Sequence, residues 1–184
     1  HFLIAMSGLN DSCFGGTLTY ICEHSLENGA MGLVINKPLQ ASLFSLLQNV
    51  NINTENSKLN KVPVYFGGPV NVDHGFVLHR PNGQWESTVS VTTEVELTTS
   101  KDILNAFSSS NVSASFSPGD FLVSVGYAGW SAGQLEDEIS QNSWLSVKAD
   151  PKIIFEVSYE YRLKAAMDKI GVSSLSLASG FGHA

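Results

Sequence analysis

A serine set between two glycines is the sharpest chemical signal in this sequence. The segment GWSAG, residues 129–133, has the G-x-S-x-G spacing that places a serine nucleophile on a tight turn between a strand and a helix. Asp150 or Asp168, and then His183, follow it in the Ser, Asp, His chain order of α/β-hydrolases. One hypothesis is therefore a serine hydrolase that uses Ser131 as nucleophile and His183 as base.

The same segment has a simpler interpretation as the start of a helix. Ser131 has the side chain of a good N-cap, and Gln134 three residues later completes a capping box. Glu136 and Glu138 suit the positive end of a helix, where solvated carboxylates are stabilising. Glu136 and Glu138 could also be paired carboxylates, but residues two apart on a helix diverge, so the roles in solvation and at the helix dipole are favoured. The capping interpretation is favoured over the hydrolase.

The histidines could serve as metal ligands or acid–base groups, but their spacing predicts no metal site. The candidates are Glu23, His24, His74, His79 and His183, and they form neither an H-E-x-x-H pattern nor a close His/Cys cluster. Cys22 and His24 are two apart on a strand-like run and are expected to face one side. A core thiol beside a satisfied histidine is the favoured interpretation of that pair. Neither a metal nor a cofactor is predicted.

The composition predicts one folded domain that spans residues 1–184. With 43% hydrophobic and 15% charged residues, the chain has enough apolar surface to fold. Its 184 residues are too few to divide comfortably into two independent domains. The formal net charge is −7, and no run of Lys or Arg could neutralise successive phosphates. Direct binding of nucleic acid is therefore disfavoured.

The sequence also predicts a cytoplasmic location. No stretch approaches the roughly 18 consecutive apolar residues that a membrane-spanning helix needs. The apolar run at residues 2–6 is too short for the core of a signal peptide. Cys13 and Cys22 fit no disulfide framework, so reduced and structural thiols are expected.

Strand-like runs predict a sheet. Thr17–Glu23 and Ala30–Asn36 are joined by Asn28-Gly29, a dipeptide that favours a hairpin turn. Gly67-Gly68 ends another run and is typical of a tight turn, with close approach of the backbone to a ligand as the alternative. Further strands are predicted at residues 62–66, 75–79, 87–91, 94–98, 121–127, 144–147 and 153–157.

Four segments have the spacing of short amphipathic helices. The first lies at residues 43–50, after Pro38, which is expected to end a strand, and the second lies at 99–107, where Thr99 and Asp102 form a capping box. The third begins at residue 131 and includes Leu135 and Ile139, and the fourth lies at 163–170 and ends before Gly171. Since strands come in runs and do not alternate with helices, the predicted fold class is α+β, with a bent, mixed and largely antiparallel sheet surrounded by helices. No glycine-rich dinucleotide or P-loop string is present.

Short sequence islands along nearly the whole chain carry a family resemblance. In chain order they are HFLIAM at 1–6, CEHS at 22–25, GAMGLVINKPL at 29–39, YFGGPV at 65–70, GFVLH at 75–79, LTTSKDIL at 97–104, GYAGWSAGQLEDEI at 126–139, NSWL at 142–145 and GHA at 182–184. Together they resemble the AlgH/YqgE-like family of bacterial proteins. Ser7 and Leu163 depart from it, since the family usually has proline and tryptophan there.

The resemblance implies a strongly bent, barrel-like sheet surrounded by helices, but no mechanism. The family's name suggests transcriptional regulation of exopolysaccharide production, and its members resemble proteins without an established biochemical activity. Its motif resembles GYAGWxxGQLE, in which the position of Ser131 varies. That variation weighs against Ser131 as a shared nucleophile.

Polar and aromatic residues recur inside these islands in greater number than a packed core needs. They are His24, Asn36, His79, Ser100, Asp102, Tyr127, Trp130, Gln134 and His183. If they converge on one concave surface, they form a pocket with an aromatic wall and a few placed polar groups; plain packing is the alternative for Tyr127 and Trp130. The leading hypothesis is a non-catalytic domain that binds a small polar ligand or a protein partner and acts indirectly on regulation. A DNA-binding regulator is a third hypothesis, which the acidic charge opposes.

Overall fold

Ten strands form one curled sheet in the computed structural model, which describes residues 1–6, 13–108 and 119–172. The strands are β1 (Phe2–Ala5), β2 (Leu18–Ser25), β3 (Gly29–Val34), β4 (Pro38–Ser42), β5 (Pro63–Phe66), β6 (Val70–His79), β7 (Thr88–Ser90), β8 (Glu96–Thr98), β9 (Phe121–Trp130) and β10 (Trp144–Val147). The helices are α1 (Leu43–Asn49), α2 (Lys101–Ser108), α3 (Gln134–Ser140), α4 (Pro151–Phe155) and α5 (Tyr159–Asp168), with a 3-10 helix at Ser57–Lys61.

The strand order confirms the α+β prediction. Along the sheet it is β10-β1-β2-β3-β9-β6-β8-β7, and every neighbouring pair in this row is antiparallel. β4 pairs with β5, and β5 joins β9 in a parallel pairing. β9 therefore contacts three strands, and the residues that follow it, beginning with Ser131, form the turn that leads to α3.

The predicted hairpin between β2 and β3 is present, and its glycine is required by packing. Gly29 has a φ of 85°, and a Cβ added there would lie 2.0 Å from the carbonyl oxygen of Trp130. The turn therefore lies directly against the end of β9. Only glycine fits this position, because both the backbone angle and the space exclude a side chain.

Strand alternation divides the buried side chains between the two faces of the sheet. Leu78 and Leu122 belong to a cluster with Tyr20, whereas Val77 and Val123, one residue along, pack with α1 and α2. A third, smaller cluster lies under α3 and includes Trp130, Leu135 and Trp144. The sheet is thus covered by helices or loops on both faces.

The predicted strand at residues 153–157 is wrong, because this segment forms α4. The Asp150 side chain accepts a hydrogen bond from the backbone N–H of Lys152, and Pro151 occupies the first turn. Asp and Pro together are a strong helix start. They outweigh the β propensity of Ile153 and Ile154, which are buried by tertiary packing.

The ends of other elements follow the sequence more closely. Gly171 has the left-handed φ of 70° that the predicted helix C-terminus requires. The prediction that Pro38 ends a strand is wrong: β3 ends at Val34, and Pro38 begins β4, a strand that the sequence did not predict. Gly67 and Gly68 form a turn whose tight contact is with the backbone of β9: added Cβ atoms would lie 2.2 Å from the Gly126 oxygen and 2.1 Å from the Tyr127 carbonyl carbon.

Candidate functional site

An open cleft of about 700 Å³ lies between the β2–β3 hairpin and strands β6, β8 and β9. Its apolar surface comes from Met31, Phe76, Leu97 and Tyr127, and its polar groups come from the hairpin and from the loops after β8 and β9. A volume of this size is typical of sites for small molecules.

Tyr127 faces the cleft because β9 is interrupted one residue earlier. Gly126 has a φ of 72°, and the pairing of β6 with β9 shifts register between Val70 and Gly75. With strict alternation from Leu122, Tyr127 would point to the opposite face. It instead packs against the same cluster as Leu122, with its ring edge-on to Phe76 at a centroid distance of 5.6 Å.

Gly129 leaves room for the ring of Tyr127 to lie along the strand. A Cβ at Gly129 would be 3.1 Å from Cε2 of Tyr127, closer than ordinary van der Waals contact. Tyr127 and Gly129 thus form one surface, an aromatic ring over a bare backbone. The glycines of this segment place the tyrosine, a role that a search for catalytic spacing does not reveal.

The carboxylate of Glu23 reaches the cleft because of a bulge in β2. The pairing of β2 with β3 shifts register between Ile21 and Glu23. As a result, Glu23 pairs with Met31 and lines the cleft, while His24 pairs with Ala30 and faces α3. The expectation that Cys22 and His24 share one side is therefore wrong, because a bulge reverses the alternation.

His24 contacts the acidic start of α3. Its Nε2 lies 2.6 Å from Oε1 of Glu136, and both side chains are partly exposed. The pKa of Glu136 is lowered, first by a hydrogen bond from its own backbone N–H and then by His24. Cys22 is half-buried and packs against the main core cluster, and burial raises the pKa of its thiol to about 12, which disfavours the reactive thiolate.

Trp130 borders the cleft, but its indole ring packs on the other face of the sheet. It lies in the cluster under α3, edge-on to Trp144 with 5.7 Å between the ring centroids. Oε2 of Glu138 accepts hydrogen bonds from Nε1 of Trp130 at 2.9 Å and from Nε1 of Trp144 at 2.7 Å. The aromatic wall of the cleft is consequently formed by Tyr127 and Phe76.

The carboxylate of Glu138 is the anchor of this corner, and sequence reasoning missed it. Gln134 donates from Nε2 to Oε1 of Glu138 at 2.8 Å, and its Oε1 accepts from the backbone N–H of Ser131 at 2.9 Å. A continuous set of hydrogen bonds thus connects two indoles to the turn after β9. The four-residue spacing of Gln134 and Glu138 was the available signal.

Ser131 does not cap α3 with its hydroxyl, contrary to the capping prediction. Gly133 is the N-cap residue, with a φ of 76° and no side-chain capping bond. The carbonyl of Ser131 accepts from the N–H of Gln134 at 3.0 Å. This bond and the left-handed glycine are typical of a type II turn, which displaces the helix start by two residues.

Among the residues of the hydrolase hypothesis that the structure describes, both aspartates bond to lysines and not to a histidine. Asp150 caps α4 and pairs with Lys169 at 3.0 Å, while Asp168 pairs with Lys164 at 2.7 Å. Ser131 is exposed and has no left-handed backbone angle, in contrast to the strained serine of a nucleophile elbow. His183 lies outside the described residues.

His79 lies inside the fold and away from the cleft. Its side chain is fully buried on the sheet face opposite Phe76. Nδ1 donates to the carbonyl of Arg80 at 2.8 Å, and Nε2 is 2.8 Å from the hydroxyl of Thr98. Both ring nitrogens are therefore engaged within the protein.

Asn36 and Ser100 stabilise loops. Oδ1 of Asn36 accepts from the backbone N–H of Leu18 at 2.8 Å, and its Nδ2 donates to the carbonyl of Gly16 at 3.0 Å. Ser100 donates to the Asp102 carboxylate and accepts from the N–H of Ser87. Neither side chain borders the cleft, so the predicted polar residues do not all converge on one surface.

Two further features bear on the function class. In the ranges 1–6, 13–108 and 119–172, no group of three or more His, Cys, Asp or Glu side chains converges in the manner of a metal site. None of the helices in those ranges has the length and hydropathy needed to cross a bilayer.

Comparison with known proteins decides the family. A family model described as AlgH-like matches residues 2–175. The chain belongs to the AlgH-like family. Curated relatives of this AlgH-like chain include a UPF0301 protein of Dechloromonas aromatica, 50% identical over 184 residues, and one of Azoarcus sp., 52% identical over 184 residues. Each alignment covers 100% of the chain, with 96% and 95% of the respective relative.

Solved structures agree with the AlgH-like fold. The solution structure of the AlgH protein from Pseudomonas aeruginosa matches with a TM-score of 0.78 and 44% identity, covering 100% of the chain and 94% of that protein. A crystal structure of a Corynebacterium diphtheriae protein matches with a TM-score of 0.69 at 19% identity, covering 98% of the chain and 90% of that protein. The second match supports the fold alone.

Proposed function

We propose that this AlgH-like protein binds a small molecule in the cleft beside Tyr127. The observation that carries the proposal is the way backbone irregularities bring an aromatic wall and polar side chains to one open surface. Gly126 turns the Tyr127 ring to the cleft, and the β2 bulge turns Glu23 to it. Placed polar groups on a largely apolar wall are what ligand sites commonly offer.

The polar groups at the cleft are available to a ligand. In the described chain, the side chains of Glu23, Asn28, Thr99 and Ser131 border the cleft without an ion pair or side-chain hydrogen bond inside the protein. Asn28 and Ser131 bond only through their backbones: their N–H groups donate to the side chains of Ser25 and Gln134, and the carbonyl of Ser131 accepts from the N–H of Gln134. A ligand can therefore gain hydrogen bonds here without breaking existing ones.

The residues around Glu138 have a positioning role in the proposal. Trp130, Gln134 and Glu138 hold the turn that carries Ser131, and the Glu136–His24 pair connects α3 to β2 beside the cleft. Ligand contact is assigned to Tyr127 and the cleft border.

The wider role that follows is indirect. We place the protein in the cytoplasm, as a single domain over residues 1–184. In this proposal the ligand-bound protein and the ligand-free protein contact different partners. Regulation would then pass through the ligand and not through direct DNA contact, which the formal net charge of −7 opposes.

A fragment titration followed by two-dimensional NMR tests the proposal. Small aromatic fragments should shift the amide signals of β3, β9 and the hairpin turn in the wild type. Tyr127→Ala should weaken binding by about tenfold, because it removes the ring that forms the wall. Tyr161→Ala is the matched control, since Tyr161 lies on α5 with 61% of its surface exposed. Equal weakening by both variants, or shifts confined to other surfaces, would contradict the proposal.

A further inference from the structure

We infer that the cleft selects ligands carrying a positive charge, specifically small organic ammonium compounds with an apolar or aromatic body. This inference rests on the proposed function, because it names the ligand class of the same cleft. It is independent of catalysis and of any metal.

The charge at the cleft has one sign. Glu23 is the only formally charged residue among the described residues that line it, and neither Lys nor Arg is present there. The Glu23 carboxylate forms no hydrogen bond or ion pair with the rest of the described chain. Glu23 is exposed at the open side of the cleft, so an anionic ligand would meet repulsion from it, whereas an ammonium group would gain an ion pair.

The neighbouring walls are also suited to a cation. The rings of Tyr127 and Phe76 are held by their edge-on contact at a centroid distance of 5.6 Å, and Met31 on β3 lies directly opposite Glu23 on β2. Aromatic rings attract ammonium groups through their quadrupole, and a thioether is polarisable. A carboxylate beside aromatic rings is therefore a preformed environment for an amine.

The size of the cleft sets the rest of the ligand. About 700 Å³ holds an ammonium head together with an aryl group or a short aliphatic chain. Asn28 and Thr99 add hydrogen-bonding groups at the border, which can accept further N–H donors. The same residues exclude a phosphorylated ligand, because no Lys or Arg in the described part of the chain lines the cleft to pair with a phosphate.

A series of matched probes separates charge from shape. Phenethylammonium, phenethyl alcohol and phenylacetate have similar bodies and differ in charge. By NMR titration, the ammonium compound should bind about five- to tenfold more tightly than the alcohol, and phenylacetate more weakly than either. Raising the salt concentration should reduce the preference for the ammonium compound, because part of it is an ion pair.

Two variants assign the preference to one carboxylate. Glu23→Gln should lower the ratio of ammonium to alcohol affinity to about twofold, leaving only the contribution of the rings. Glu27→Gln is the control, because Glu27 is exposed on the same hairpin outside the cleft. Its ratio should equal that of the wild type.

The outcomes distinguish this inference from the proposed function. Equal binding of all three probes at the cleft would overturn the charge preference while ligand binding stands. A preference that survives Glu23→Gln would overturn the assignment to Glu23. Absence of binding by every probe in the series would overturn both.

Discussion

Removing the carboxylate of Glu138 should destabilise the protein more than removing the carboxylate of Glu136, which lies two residues away on α3. The carboxylate accepts from two indole N–H groups, of Trp130 and Trp144, and from the amide of Gln134. The two tryptophans are 7% and 3% exposed, so little water can replace the lost acceptor. Glu138→Ala leaves both indole N–H groups without it.

The magnitude follows from these three bonds. A buried donor left without its partner costs about 1–3 kcal/mol, and bonds to a charged group lie at the upper end of the range. Because Glu138 itself is only partly buried, we expect a loss of about 3–5 kcal/mol in the free energy of unfolding for Glu138→Ala. Glu138→Gln keeps one oxygen acceptor and should lose about 1–2 kcal/mol.

Urea unfolding followed by far-UV circular dichroism measures the effect. The free energy is obtained from the midpoint and slope of each curve, with the slope expected to stay constant. Glu136→Gln is the matched control, two residues away on the same helix, where the carboxylate pairs with the exposed His24. An alanine variant as stable as the wild type, or no more destabilised than the Glu136 control, would refute the anchoring role of Glu138.

Three further outcomes are expected. Gly126→Ala should destabilise the protein severely in urea unfolding, because φ is 72° and the added Cβ would lie 2.3 Å from a backbone oxygen. Iodoacetamide at pH ~8 should modify exposed Cys13 in the native protein but Cys22 only after unfolding, since burial raises the pKa of Cys22 to about 12. The pKa of Asp150 is lowered, chiefly by its hydrogen bond to Lys169, so its contribution to stability is complete above pH ~4 and is lost as pH falls through the folded pKa. Wild type and Asp150→Asn should therefore converge in stability on acidification.

Local signals in the sequence were enough to predict most of the elements. Asn28-Gly29 between two β-branched runs correctly indicated the β2–β3 hairpin, and the Leu135–Ile139 spacing indicated α3. The error at residues 153–157 arose where two local signals compete. Ile153 and Ile154 favour a strand, while Asp150 and Pro151 favour a helix, and packing decided between them.

The geometry of the site was less accessible to prediction. The direction of a strand side chain depends on counting by twos, and one bulge reverses every later residue. The bulge in β2 turns Glu23 and not His24 to the cleft, and the left-handed Gly126 turns Tyr127 to it. Neither irregularity has a local sequence signature that distinguishes it from an ordinary strand residue or turn glycine.

The partners of buried polar groups were also beyond sequence reasoning. Trp130 and Trp144 are far enough apart that only the folded chain brings both indoles to Glu138. Similarly, His79 meets Thr98 through the pairing of β6 with β8. Polar residues in recurrent motifs thus served the scaffold at these positions, and a ligand site was not their only explanation.

Intermolecular nuclear Overhauser effects between bound phenethylammonium and the protein test the central claim most directly. With the ligand in the cleft, its ring protons should show contacts to the ring protons of Tyr127 and Phe76 and to the methyl group of Met31. Contacts to Tyr161 should be absent. A bound ligand whose contacts lie only on other surfaces, or saturating ligand with no contact to Tyr127, would contradict the account.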